Sequence, residues 1–396
     1  MITVSAAKEI IKSKVKPLKP VEARLSQSAG LVLAKGVYAS MDIPGFRQSS
    51  MDGYAFSHAG WKQHTTLQIS GEIAAGYYQA NPVLPHQVVR IFTGAPLPDG
   101  TDTVVMQEKV TTANGELTIL DEHLPAGLNV RPKGSEIKAG ALALPAESIL
   151  SPAAVGFLTG MGITEVNVYP PPVVSIIVTG KELQQPGNLL QLGQVYESNS
   201  ATLIAALQQL NIRNVITHRA DDDLAILTDV LERAMKESDV ILLTGGISVG
   251  DYDFVLEAAT QSGVEKLFHC IKQRPGKPLY FGIKNDQLVF GLPGNPSSVL
   301  TCFYEYVTPA LQKLSNYKNE GLKILQVPLS KKIEKNAGLT QFLKGWYDGE
   351  TVMPLEAQES YRLSSFAKAN CLVKIDQEVV VCDYGELVEI HLFPDN

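Results

Sequence analysis

Residues 244–254, TGGISVGDYDF, gather three glycines, two aliphatic hydroxyls and two carboxylates into one short run. Glycines with no Cβ leave main-chain N–H groups open to an anion, above all where a strand turns into a helix and the helix N-terminus adds partial positive charge. Gly245, Gly246, Ser248 and Gly250 are the residues placed for that task. The carboxylates of Asp251 and Asp253 fit either of two roles, capping the following helix or holding a hard cation such as Mg²⁺ beside a bound phosphate. A second run, KQRPGKPLYF, puts Lys272, Arg274 and Lys277 within six residues, and such cations give charge-assisted bonds to oxyanions. A third, GLPGNPSS, offers Pro293, Gly294, Asn295 and Ser297 at another strand-to-helix turn. VTGKEL contributes Glu182 in the same kind of position. The loop PGFRQSSMDGYAF, residues 44–56 with Asp52, reads equally as a polar turn and as a ligand edge.

The elements that must hold these runs follow from the pattern around them. Val240–Leu243 is a continuous apolar stretch, as expected of a parallel strand buried on both faces, and Phe254–Ala259 carries helical spacing that closes on Gly263. From residue 171 to 320 strands and helices alternate, which predicts a doubly wound α/β domain. There, ligands bind outside the carboxyl ends of the strands, and the glycine runs sit at those ends. Residues 39–140 change to short alternating runs with Asn114-Gly115 as a hairpin turn, a β-rich insert. The flanks, 1–38 and 141–170, read as mostly helical and as one discontinuous domain, with Ser151-Pro152 opening a helix. Residues 321–396 return to short strands, a small C-terminal β domain. The fold expected is therefore multidomain α/β plus β.

The chain of 396 residues exceeds what one core usually supports, and its formal net charge of −7 argues against general nucleic-acid binding. An anionic ligand must then be held by local groups. Cys270, Cys302, Cys371 and Cys382 show neither C-x-x-C pairing nor metal-like spacing with the seven histidines, pointing to a reduced compartment. The N-terminal stretch has Val4, Ala7, Ile10, Ile11, Val15 and Leu18 on one helical face with charges between, as expected of an amphipathic helix rather than a signal peptide or a membrane span. No nucleophile elbow, H-E-x-x-H pair or P-loop lysine motif occurs.

In order along the chain, PGF..SSMDGYA, TGAPLPDGTDTVVMQE, TG.EL, SN, TGGISVGDYDF, RPGKP and GLPGNPSS resemble the molybdopterin molybdenumtransferase family, the MoeA proteins with relatives in gephyrin and its plant counterpart. The likeness runs nearly the whole length. It implies insertion of molybdenum from molybdate into adenylylated molybdopterin with Mg²⁺, releasing AMP, by a cytoplasmic four-domain homodimer whose site is shared between subunits, with an adenylyltransferase as a possible partner. It makes residues 171–320 the molybdopterin-binding domain and joins 1–38 to 141–170 as a linker domain. By the same resemblance Asp52, Glu182 and Asp253 are the expected catalytic residues, Glu182, Asp251 and Asp253 the expected metal ligands, and Ser365 a ligand-contacting serine of the last domain. The chain departs from the family's common pattern at Arg47-Gln48, Ser135-Glu136, Lys181, Arg274 and Lys344. A molybdopterin adenylyltransferase, which uses ATP, and a non-enzymatic scaffold are the competing expectations; the β-rich insert and the C-terminal domain disfavour the first, and the lack of a long linker or extra interaction domain in this sequence disfavours the second.

Overall fold

The computed structural model of the chain describes residues 1–247 and 254–394, in two compact units. Ser248, Gly250, Asp251 and Asp253 lie outside the described residues. The larger unit comprises Met1–Ala23, Gly30–Ala34 and Asn167–Asn396; the smaller comprises Arg24–Ala29 and Lys35–Val166.

In the larger unit a six-stranded sheet runs in the order Val215–Ala220, Val174–Thr179, Val240–Thr244, Gln287–Leu292, Tyr280–Lys284, Glu265–His269. The first four strands are parallel, Tyr280–Lys284 runs antiparallel to both its neighbours, and Glu265–His269 therefore runs with the first four. The central parallel strands Val174–Thr179 and Val240–Thr244 are buried along their whole length because both faces are covered, whereas the edge strand Val215–Ala220 carries polar and half-exposed residues. On one face Ile176, Val178, Leu242, Phe290 and Leu292 pack with the N-terminal helix Val4–Lys14 and the helices Asn199–Gln209 and Pro296–Cys302. On the other, Ile177, Ile241, Leu243 and Val289 pack with Leu224–Glu237 and Phe254–Gln261. This alternation of faces along each strand is the doubly wound arrangement that the β-α-β pattern predicts. The helical run from Pro296 to Leu314 contains a π segment, Phe303–Val307.

A second sheet closes the C-terminal part, in the order Gln273–Arg274, Thr340–Tyr347, Cys371–Ile375, Leu387–Leu392, Lys323–Pro328. Its edge strand belongs to the RPGKP run, so this sheet is tied to the α/β sheet by the chain itself.

The smaller unit is built on a six-stranded sheet, Thr103–Met106, Gly53–Phe56, Gln87–Ile91, Leu67–Ile73, Glu116–Ile119, Val110–Ala113. Tyr54, Phe56, Val88 and Val105 face one core, while Ala55, Val89, Ile91 and Val104 face the other. Asn114 and Gly115, both at positive φ, make the expected two-residue turn.

The flanks differ from expectation. Residues 1–38 and 141–170 hold one α-helix each, Val4–Lys14 and Pro152–Gly160, and otherwise short strands such as Val21–Arg24, Val32–Leu33 and Glu165–Tyr169. Pro17, Pro20, Gly30 and Gly36 interrupt helix continuation, and the β-branched residues between them settle into ladders instead. Among the described residues no helix is long and apolar enough to cross a membrane, and all four cysteines are buried and none forms a disulfide.

Candidate functional site

Strand order reverses between Val174–Thr179 and Val240–Thr244, which is where a crevice opens at the carboxyl edge of a doubly wound sheet. The loops after these two strands and after Gln287–Leu292 leave three adjacent parallel strands in register, Val178 beside Thr244 and Thr244 beside Leu292. They therefore share one edge. The RPGKP turn joins them, because the strand after it runs antiparallel and sets Tyr280 opposite Gly291.

Gly245 is the tightest point. Its φ is +87°, and an added Cβ would lie 2.2 Å from the Thr179 carbonyl oxygen, so only glycine lets the TGG turn lie against the neighbouring strand. A Cβ on Gly294 would stand 3.9 Å from the Gly245 Cα, so the TGG and GLPGN turns are side by side. Gly294 is held by Asn199, whose Nδ2 donates to its carbonyl at 3.0 Å. Asn199 Oδ1, Thr244 Oγ1 and Ser297 Oγ are buried at these loops with no hydrogen-bond partner among the described residues. Such groups are costly unless something else satisfies them. Pro293 is buried, while Gly294 and Asn295 are exposed at the edge.

Glu182 is exposed and folds back over Gly180, where an added Cβ would lie 2.9 and 3.0 Å from its two carboxylate oxygens. The turn beneath it is braced by Asp222, which accepts hydrogen bonds from Thr179 Oγ1 at 2.7 Å and from Lys181 N at 3.2 Å. Asp222 belongs to an acidic triplet whose next member, Asp223, caps the helix Leu224–Glu237 by accepting from Ala225 N and Ile226 N. The division of the triplet into one cap and one loop brace emerges only in three dimensions.

Arg274 and Lys277 are exposed. Arg274 and Pro275 border an open cleft of about 1090 Å³ whose other walls include Gln341, Ala357, Gln358 and Glu359. The 357–362 loop is gripped from beneath by Lys344, nearly fully buried, whose Nζ donates to the carbonyls of Ala357 at 2.8 Å, Arg362 at 3.2 Å and Glu359 at 3.4 Å. Burial pulls the Lys344 pKa down. Ser365 donates to the same Ala357 carbonyl at 2.7 Å and is buried, so its hydroxyl hydrogen is spent on shaping this loop. Ser360 carries the loop to the sheet edge, accepting from Asn295 Nδ2 at 2.9 Å and, through its carbonyl, from Ser297 N at 3.1 Å.

Asp52 lies in the smaller unit at the start of the strand Gly53–Phe56. Its Oδ1 accepts from both the amide and the hydroxyl of Thr93 at 2.8 Å, clasping the SSMDGYA and TGAPLPDG loops together. The Thr93 amide, then its hydroxyl, hold the Asp52 carboxyl below its ordinary range. Thr93 was not singled out in the sequence, since a lone threonine after a strand carries no distinguishing pattern.

Strand-order reversal, glycine turns at the carboxyl edge and a basic turn beside them define a doubly wound α/β domain, and residues 175–313 match the family model described as "Probable molybdopterin binding domain". Residues 2–162 match the MoeA N-terminal region (domain I and II) and residues 326–393 the MoeA C-terminal region (domain IV), so the chain belongs to the MoeA family of molybdenum cofactor biosynthesis. It is 32% identical over 405 residues to the molybdopterin molybdenumtransferase of Haemophilus influenzae, covering 99% of each chain. It is 30% identical to that of Staphylococcus epidermidis, covering 99% of this chain and 95% of the relative. A crystal structure of the molybdopterin biosynthesis MoeA protein from Pyrococcus horikoshii superposes with a TM-score of 0.79 at 27% identity, over 99% of this chain and 100% of that one.

Proposed function

We propose that this chain inserts molybdenum from molybdate into adenylylated molybdopterin, releasing AMP and molybdenum cofactor. The observation that carries this reading is the gathering of the VTGKEL, TGG and GLPGNPSS loops and the RPGKP turn on one sheet edge, in a chain that follows the family from end to end. Molybdate is a dianion and the adenylylated pterin bears a pyrophosphate. Main-chain N–H groups of Gly245, Gly246, Gly294 and Asn295 suit both, the same runs carry Ser248, Gly250 and Pro293, and Arg274 and Lys277 supply the positive charge that a molecule of net charge −7 lacks overall. Ser297, buried beside these turns with no hydrogen-bond partner for its hydroxyl among the described residues, is assigned to the same ligand. Ser365 acts through the 357–362 loop.

Among the described residues no group of three or more His, Cys, Asp or Glu side chains is arranged to hold a metal ion. A donor set of one exposed carboxylate, Glu182, supplemented by Asp251 and Asp253, fits an ion that takes its remaining ligands from phosphate oxygens and water, as Mg²⁺ does. Bound there it would act as a Lewis acid on the phosphate. Asp52, Glu182 and Asp253 are the proposed catalytic residues. The proposal also takes the enzyme to be a cytoplasmic four-domain homodimer with the site shared between subunits, supplied with its substrate by an adenylyltransferase.

The test is turnover by the purified protein with molybdate, Mg²⁺ and adenylylated molybdopterin. AMP and active cofactor should form together, and chelation of the metal should stop both. ATP-dependent adenylylation of molybdopterin by this chain, or no AMP release at all, would overturn the reading in favour of an adenylyltransferase or a scaffold.

A further inference from the structure

We propose that Gln273, held by Tyr306, is a positioning residue that fixes the Arg274–Lys277 turn so that its two cations meet the anionic ligand as a preset pair. The inference rests on the functional reading above, in which Arg274 and Lys277 contact that ligand.

Burial alternates sharply along this turn: Gln273 and Gly276 are buried, Arg274 and Lys277 exposed. Gln273 has no exposed surface at all. A primary amide is tolerated in such a place only when its donors and acceptor are used. Here its Nε2 donates to the carbonyls of Pro275 at 3.0 Å and Gly276 at 3.1 Å, while its Oε1 accepts from the Tyr306 hydroxyl. Two carbonyls on one side and a phenol on the other fix which end is oxygen and which nitrogen. The side chain thus grips the backbone at the two residues lying between the two cations.

The seat beneath the turn is equally close. Gly276 has φ +81°, and a Cβ there would stand 2.5 Å from Cys302 Sγ and 2.9 Å from Gln273 Nε2. The turn is closed by Ile271 N donating to Lys277 O at 2.9 Å, and Thr340 N donates to Lys272 O at 3.0 Å. Tyr306 is itself immobilised: it is fully buried on the π segment, next to Glu305, whose carboxylate is fixed by Lys8 at 2.5 Å and His391 at 2.6 Å. Single π turns inside α-helices recur at functional sites because they re-aim side chains. A loop held in its bound shape loses less entropy on binding, so removal of the grip weakens ligand affinity rather than the chemical step.

The test compares wild-type protein, Gln273→Met, Tyr306→Phe and the double variant in turnover with molybdate and adenylylated molybdopterin. Gln273→Met keeps length and burial and removes the hydrogen bonds; Tyr306→Phe removes one hydroxyl and serves if the first variant folds poorly. The KM for adenylylated molybdopterin should rise about tenfold in Gln273→Met with kcat within about twofold, and less in Tyr306→Phe. The double variant should be no worse than Gln273→Met, since both act through one network. Leu311→Ala, a core truncation farther along the same helical run, should lower the melting temperature and leave KM unchanged. Wild-type turnover with unchanged KM in both Gln273→Met and Tyr306→Phe, or a KM that follows melting temperature across all variants, would overturn the proposal alone. Absence of wild-type turnover would sink the functional reading, and this proposal with it.

Discussion

Asp52 accepts two hydrogen bonds from Thr93, and these keep it ionised below its ordinary pKa of 3.8. A depressed carboxyl contributes above its ordinary range and loses its contribution only as pH falls through the lowered value, so no fall in turnover near neutral pH comes from its protonation. Asp52→Asn removes the charge but keeps an oxygen for Thr93. It should lower kcat/KM about a hundredfold or more and move the melting temperature by less than about 3 °C, checked by paired kinetics and calorimetry. At this scale the sequence was informative where a residue type is itself unusual: a glycine run, a carboxylate beside glycines, a cation between prolines. It was silent on Gln273, Asp222 and Thr93. Their roles depend on burial or on partners at least 33 residues away, Tyr306 for Gln273, Thr179 for Asp222 and Asp52 for Thr93.

Elements were legible in proportion to their periodicity. The parallel strands and the long helices of the α/β sheet announce themselves by apolar runs and by helical spacing, and both lie where the pattern predicts. The flanks were misread because apolar residues at helical spacing also occur in short strands broken by proline and glycine, and the π segment has no sequence signature that distinguishes it from a helix. Two predictions belong here. Gly245→Ala forces a side chain into φ +87° and against the Thr179 carbonyl, and should cost at least about 2 kcal/mol in urea unfolding while abolishing turnover. Lys344→Met leaves three carbonyls of the 357–362 loop without their buried donor, and should cost about 2–4 kcal/mol, with a rise in KM as Ser360 lets go of Asn295.

Across the larger unit, one ionic chain centred on buried Glu305 and His391 and running out to the surface ties the N-terminal helix, the π segment and the C-terminal sheet: Lys8 to Glu305, Glu305 to His391 at 2.6 Å, His391 to Glu389 at 2.8 Å, and Glu389 to Lys374 at 3.1 Å, with exposed Asp376 also on Lys374. Burial alone would lower the His391 pKa, but hydrogen bonds to Glu305 and Glu389 outweigh it and the net shift is upward from 6.5. The His391 hydrogen bond, against the cost of burial and with help from Lys374, brings Glu389 down to about 2 from 4.5. Burial likewise opposes ionised Glu305, yet Lys8 and His391 carry its pKa below 4.5. A raised histidine stabilises fully below 6.5 and loses that contribution as pH rises through its folded value. The lowered glutamates stabilise above 4.5 and lose it as pH falls through their lowered values, about 2 for Glu389. The melting temperature should therefore be highest between 4.5 and 6.5 and decline on the alkaline side, and His391→Gln should flatten that alkaline decline. None of this network was readable in advance, since its members come from positions 8, 305, 374, 376, 389 and 391 of the chain.

The claim on which the functional account turns is that the carboxyl edge of the parallel sheet holds the anionic ligands. A crystal soaked with molybdate and AMP addresses it most directly. The account predicts oxyanion and nucleotide density between the RPGKP and GLPGNPSS loops, within hydrogen-bond reach of Arg274 or Lys277. Well-ordered ligands bound elsewhere on the chain, with that edge empty, would contradict it.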